Sequence, residues 1–196
     1  MTTPTPETAS ETRVWDPLVR LFHWSLAAGF AAAYIIEDHP LALHVWIGYL
    51  ILALIAIRVT WGFVGSTHAR FGDFVRGPRA TLDYLRDAAR LRAPRHLGHN
   101  PAGGAMVVAL LLTVSATGLS GLALYGAEEF AGPLAGLTAG LSHDTAELIE
   151  GAHEFFANLT LLLVLLHVAG VLFSSFAHQE NLIGSMISGR KRVERE

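Results

Sequence analysis

Four apolar stretches constrain this sequence more than anything else in it. They cover residues 19–36, 43–64, 103–124 and 148–176. Each approaches or exceeds the ~20 residues that a helix needs to cross a ~30 Å hydrocarbon core. The expected fold is therefore all-α, an integral membrane four-helix bundle. Composition agrees: 52% of residues are hydrophobic and only 16% charged, against roughly 25% charged in a soluble domain. Such a chain is surrounded by membrane lipid, and nothing in it points to nucleic acid.

The connection 37–42 is so short that the first two spans must form an antiparallel hairpin. Residues 65–100 are polar and Arg-rich, and their centre, 78–91, reads as an amphipathic helix lying on the membrane surface. Residues 125–147 form a Gly-rich, acidic connection with a short interfacial helix. Residues 1–13 are polar and lack an apolar leader core, which predicts a disordered tail and no cleaved signal. The domain is expected to run over 14–191, with a charged tail at 192–196. There is no internal repeat, so inverted-repeat transporter architecture gains no support.

All 14 Lys and Arg fall on one side of this arrangement. Arg13 and Arg20 stand at the start of the first span. Arg58, Arg70, Arg76, Arg79, Arg86, Arg90, Arg92 and Arg95 lie at the end of the second or in the loop after it. Arg190, Lys191, Arg192 and Arg195 follow the fourth. The other two connections hold Glu37, Asp38, Glu128, Glu129, Asp144 and Glu147. The positive-inside rule then puts both termini and the Arg-rich loop in the cytoplasm, with the protein in a bacterial cytoplasmic membrane.

The chain has no cysteine, which excludes disulfides, iron–sulfur clusters and covalent haem attachment. It has 10 histidines, and four lie inside the spans: His23, His44, His153 and His167. An imidazole in a membrane helix is costly unless it is satisfied, so each is a functional candidate; the alternative for any one of them is a hydrogen bond to a neighbouring helix. Alternating span directions set their depths. His23 and His167 fall near the cytoplasmic face, and His44 and His153 near the periplasmic face. The 14 positions between His153 and His167 span ~21 Å of helix, and ~3.9 turns put both rings on nearly one face. Two facing imidazoles at each of two depths suit two bis-histidine haem irons held non-covalently. Zinc would need three or four ligands converging on one point. A copper site or a proton relay remains the competing reading.

Gly48 and Gly170 lie one turn after His44 and His167, Ala152 and Ala157 flank His153, and Gly118 and Gly121 occupy the third span. Small residues of this kind leave room for a flat macrocycle or, alternatively, for close helix packing. Arg20 and Arg58 could pair with haem propionates or snorkel to lipid phosphates. Trp15, Trp24, Trp46, Trp61 and Tyr125 read mostly as interfacial anchors. His39, His68, His96, His143 and His178 read as surface residues. His99 is the exception: Asn100 and Pro101 look like the cap and first turn of the third span, and His99 beside them can face the cytoplasmic haem or a quinone.

Several segments together resemble a known family. They are Val14-Trp-Asp-Pro-Leu-Val-Arg-Leu-Phe-His23-Trp, His44-Val-Trp-Ile-Gly48-Tyr, Arg58-Val-Thr-Trp-Gly-Phe-Val-Gly65, Phe71-Gly-Asp-Phe-Val-Arg-Gly-Pro78, His99-Asn-Pro-Ala-Gly103, and the pair His153 and His167. Over about Val14 to Lys191 the chain is similar to the bacterial cytochrome b561 family, in the branch that includes the b-type cytochrome subunit of nickel–iron hydrogenases. That resemblance implies a four-helix bundle with two b haems, ligated by histidines on the first, second and fourth helices, and quinone as the membrane-side redox partner.

The expected function is electron transfer between the quinone pool and a periplasmic redox protein such as a c-type cytochrome or a hydrogenase. The alternatives are the membrane anchor of a periplasmic hydrogenase, a quinol:superoxide oxidoreductase and, from another class, a histidine-lined transporter. Whether the chain is itself an enzyme, and whether it forms a homodimer, are both open at this stage.

Overall fold

A computed structural model describes residues 11–37 and 39–193. Four of its helices are long and apolar enough to cross a membrane: α1 (Pro17–Ile36), α2 (Leu41–Val64), α5 (Pro101–Glu128) and α7 (His143–Ala177). Between them lie α3 (Phe71–Phe74), α4 (Pro78–Ala89) and α6 (Ala135–Thr138), and α8 (Leu182–Ser188) follows α7. The chain is a four-span helical membrane protein.

Three of the spans, α1, α5 and α7, begin at polar caps. Asp16 accepts from the Val19 N–H before Pro17, and Asn100 accepts from the Gly103 N–H before Pro101. Ser142 does the same for Thr145. These caps satisfy N–H groups that have no partner within the helix. The 35 residues of α7 measure roughly 52 Å, well beyond the hydrocarbon thickness. α1 packs on α2, and the most extensive pairing is α5 on α7. Most apolar side chains of the spans stay exposed on the protein, Phe63, Leu165 and Phe176 among them, as expected of a lipid-facing surface.

Two clusters of buried hydrophobic residues stand out. Ile51, Ile55 and Val114 pack mid-span with Leu26, Ile47 and Leu111. Val14, Trp15, Val19 and Ala69 pack at the Arg-rich end with Trp61 and Met186. Trp15 and Trp61 are therefore not interfacial anchors as expected. Asp16 holds this end together, accepting from the Trp61 indole N–H at 3.0 Å and from the Ser66 hydroxyl.

The expected disordered tail over residues 1–13 is corrected at its end, residues 1–10 lying outside the described ones. Glu11–Arg13 forms a strand, β1, antiparallel to β2 (Arg190–Arg192), with Thr12 opposite Lys191. Arg192 thus belongs to the sheet rather than to the expected tail at 192–196. Lys191 is buried, and its ammonium donates to Glu180 at 3.1 Å and to the His96 carbonyl at 3.2 Å. Arg95 donates to the other Glu180 oxygen at 2.8 Å. This network ties the loop before α5 to the end of α7 and to the C-terminal strand.

Candidate functional site

The four span histidines form two facing pairs. The rings of His23 on α1 and His167 on α7 have centroids 6.3 Å apart. Those of His44 on α2 and His153 on α7 are 6.1 Å apart. Two metal–nitrogen bonds of about 2 Å plus two ring radii of about 1.1 Å put axial imidazole centroids roughly 6 Å apart. Beside these rings, α1 also meets α7 through the Tyr34 hydroxyl, which donates to Asn158 Oδ1 at 2.7 Å. No group of three or more metal-ligating side chains occurs among the described residues, which argues against a zinc-type centre.

The second ring nitrogens are partly committed. His153 Nδ1 lies 2.9 Å from the Thr117 carbonyl, and His44 Nδ1 lies 3.2 Å from the Ala33 carbonyl. An Nδ1–H donated to a backbone carbonyl leaves Nε2 as the lone-pair nitrogen for a metal. His23 Nδ1 is shut away from solvent without a hydrogen-bond partner. The donor set is all imidazole, the two rings of each pair stand at axial spacing, and backbone gaps flank them. These residues fit haem.

The glycines divide by role. A Cβ at Gly48 or Gly170 would meet nothing within 4 Å, so both leave open space beside their histidines. A Cβ at Gly121 would stand 2.8 Å from a His153 ring carbon, so that residue makes room for the ring itself. Gly118 corrects its expectation: a Cβ there would stand 2.6 Å from Leu52, so it serves the packing of α5 on α2 rather than a cofactor gap.

Both candidate arginines lie at the Arg-rich end. Arg58 is only 3% exposed, which rules out snorkelling to lipid. Its guanidinium lies 5.1 Å from the Phe71 ring centroid and 6.0 Å from that of Phe74, and one terminal nitrogen is buried and unpaired. Arg20 donates to the Ile187 carbonyl, and its Nε is buried without a partner.

His99 is wedged between Trp15, with centroids 4.7 Å apart, and Phe74, at 4.6 Å. Its Nδ1 is screened from solvent and unpaired. Burial, and after it the charges of Arg58, His167, Lys191 and His68, push its pKa down to about 3, so the ring is neutral at ordinary pH. The aromatic box around His99 was not read from sequence. Its signal was the Phe71/Phe74 spacing, one helical turn, inside a segment that reads as loop.

A model of the prokaryotic cytochrome b561 family matches residues 14–189. The chain belongs to that family. Membership implies haem b, in keeping with the two histidine pairs and the absence of cysteine. This cytochrome is also 24% identical over 211 residues to a probable Ni/Fe-hydrogenase B-type cytochrome subunit of Rhizobium leguminosarum bv. viciae. The alignment covers 91% of this chain and 87% of the relative. No solved structure matches it.

Proposed function

We propose that this cytochrome moves electrons across a bacterial inner membrane through two b haems, between quinone at its Arg-rich end and a redox protein at the other. The observation that carries the reading is the pair of imidazole separations, 6.3 and 6.1 Å, at two depths along α7. Haem b, when bound, supplies a one-electron iron couple without an open coordination position. His23 and His167 hold one haem, and His44 and His153 the other. Thr117 and Ala33 orient the second pair through their carbonyls. The buried guanidinium of Arg58 and the half-buried one of Arg20 supply donors for propionates. The lipid-facing side chains of the four spans keep water from the path.

The charge distribution supports cytoplasmic termini. At that end, neutral His99 offers a hydrogen-bond donor to a quinone carbonyl, inside the aromatic box of Trp15 and Phe74. At the other end Glu128, Glu129, Asp144 and Glu147 are exposed and suit a basic partner through electrostatic steering. The name of the relative favours a hydrogenase-type protein there, which makes this chain its membrane anchor. A free-standing cytochrome served by a c-type cytochrome is the second reading, and it uses the same acidic face.

The test is a haem count with ligand variants. A pyridine haemochrome assay is expected to give two haems per chain. His23→Ala and His167→Ala should each remove the same haem, and His44→Ala and His153→Ala the other. One haem per chain, or His23 and His44 variants losing the same haem, refutes the reading.

A further inference from the structure

At the Arg-rich end a cavity of about 240 Å³ lies between the loop after α2 and the loop before α5. That volume has room for several waters. Its lining includes His68, Asp73, Arg76, His96 and His99. His99 thus has two sides: its ring packs in the aromatic box with Trp15 and Phe74, and it also borders this cavity. His68 lies against Gly98, the residue before His99, where an added Cβ would stand 3.0 Å from His68 Nδ1. Asp73 is partly exposed and paired with Arg70 at 2.9 Å. His96 is exposed and meets the Tyr84 ring edge-on, with centroids 5.7 Å apart.

Of the charged groups here, Arg76 donates to the carbonyls of Gly72 and Asp73, which leaves its charge at the rim. Partial burial, then the charges of His178, Arg76 and Lys191, hold His96 below its ordinary value. The cavity therefore brings two imidazoles and a carboxylate together beside the His99 ring.

We propose that this cavity is the proton inlet of the cytochrome, linking the Arg-rich aqueous face to the quinone at His99 through His68, Asp73 and His96. The inference rests on the quinone reading above. Each quinone takes two electrons and two protons to become quinol, with an O–H bond forming at each carbonyl oxygen. The electrons come from the redox protein at the far face, along the two histidine pairs. The protons come from water at the Arg-rich face. His99 gives a proton from one ring nitrogen to the quinone oxygen and regains one from the cavity at the other nitrogen, so it ends neutral. Quinol oxidation runs the same steps backwards and releases both protons into the cavity.

The experiment uses pre-reduced holoprotein in liposomes, mixed with a short-chain ubiquinone in a stopped-flow instrument. Haem reoxidation is followed in the visible spectrum, and proton uptake by a pH dye on the Arg-rich side. In the double variant His68→Gln/Asp73→Asn both rates should fall at least tenfold. Its haem spectrum should be unchanged, and millimolar imidazole should restore both rates. Should the double variant lose its haem spectrum, the single exposed change His96→Gln carries the same test, with a threefold or greater slowing expected. Wild-type rates in the pocket variants alongside slow reoxidation in His99→Phe overturn the inlet and leave the quinone reading standing. Wild-type rates in His99→Phe overturn the quinone reading, and the inlet with it.

Discussion

A methyl group at Gly121 would stand 2.8 Å from a carbon of the His153 ring, closer than real Cβ contacts come. Gly121→Ala must therefore push that ring off its hydrogen bond to the Thr117 carbonyl. Losing a second-sphere bond of this kind costs about 10-fold or more in metal affinity. The expected result is a tenfold faster loss of one haem during purification, with the His23–His167 haem retained; difference spectra of the variant check it. The four span histidines were legible in the sequence because imidazole stands out in apolar runs. The role of Gly121 was only half legible: a small residue marks a gap, but only the packing of α5 on α7 says what fills it. Gly118 shows the converse, a similar residue one turn away that faces Leu52 instead.

At the scale of elements, hydropathy length located the four spans, and charge and turn residues located their ends. The cap at Asn100–Pro101 was legible because its signals are local. The β1–β2 pairing was not, since three-residue strands from opposite termini leave no periodic trace. Nor was the Arg95–Glu180–Lys191 network, whose members are 85 or more positions apart except for one pair. In that network burial alone would raise the Glu180 carboxyl pKa, but the hydrogen bonds and charges of Arg95 and Lys191 outweigh it and hold the group below its usual range. A depressed carboxyl contributes stability that is complete above the unfolded pKa of about 4.3 and is lost as pH falls through the folded value. The detergent-solubilised holoprotein should keep a constant melting temperature from pH 8 to about 5.5 and lose it progressively in stronger acid. Glu180→Gln leaves Lys191 buried with a weaker partner and should cost about 3 kcal/mol at neutral pH. It should also flatten the acid limb; a melting curve unchanged by the substitution would contradict this account.

At the scale of the whole molecule, the charge asymmetry makes a prediction of sidedness. Every Lys and Arg among the described residues lies at one end, and reporter fusions should find the 77–95 loop and the C-terminus in the cytoplasm and the α6 connection outside. A reporter active on the opposite side at either place would reverse the functional assignment of the two faces. The placement of both α7 histidines on one unbroken helix has a consequence of its own. With a haem on each pair, as proposed, the 14 residues from His153 to His167 would set the two centres ~21 Å apart along α7, roughly 0.7 of the hydrocarbon thickness. An electron passing between them crosses that fraction of the transmembrane voltage, about 1.6 kcal/mol for each 100 mV. On the two-haem proposal the internal transfer would be electrogenic: the occupancy ratio of the two centres would shift about 15-fold per 100 mV, and the energised state of the cell would act as a throttle on the current through the protein.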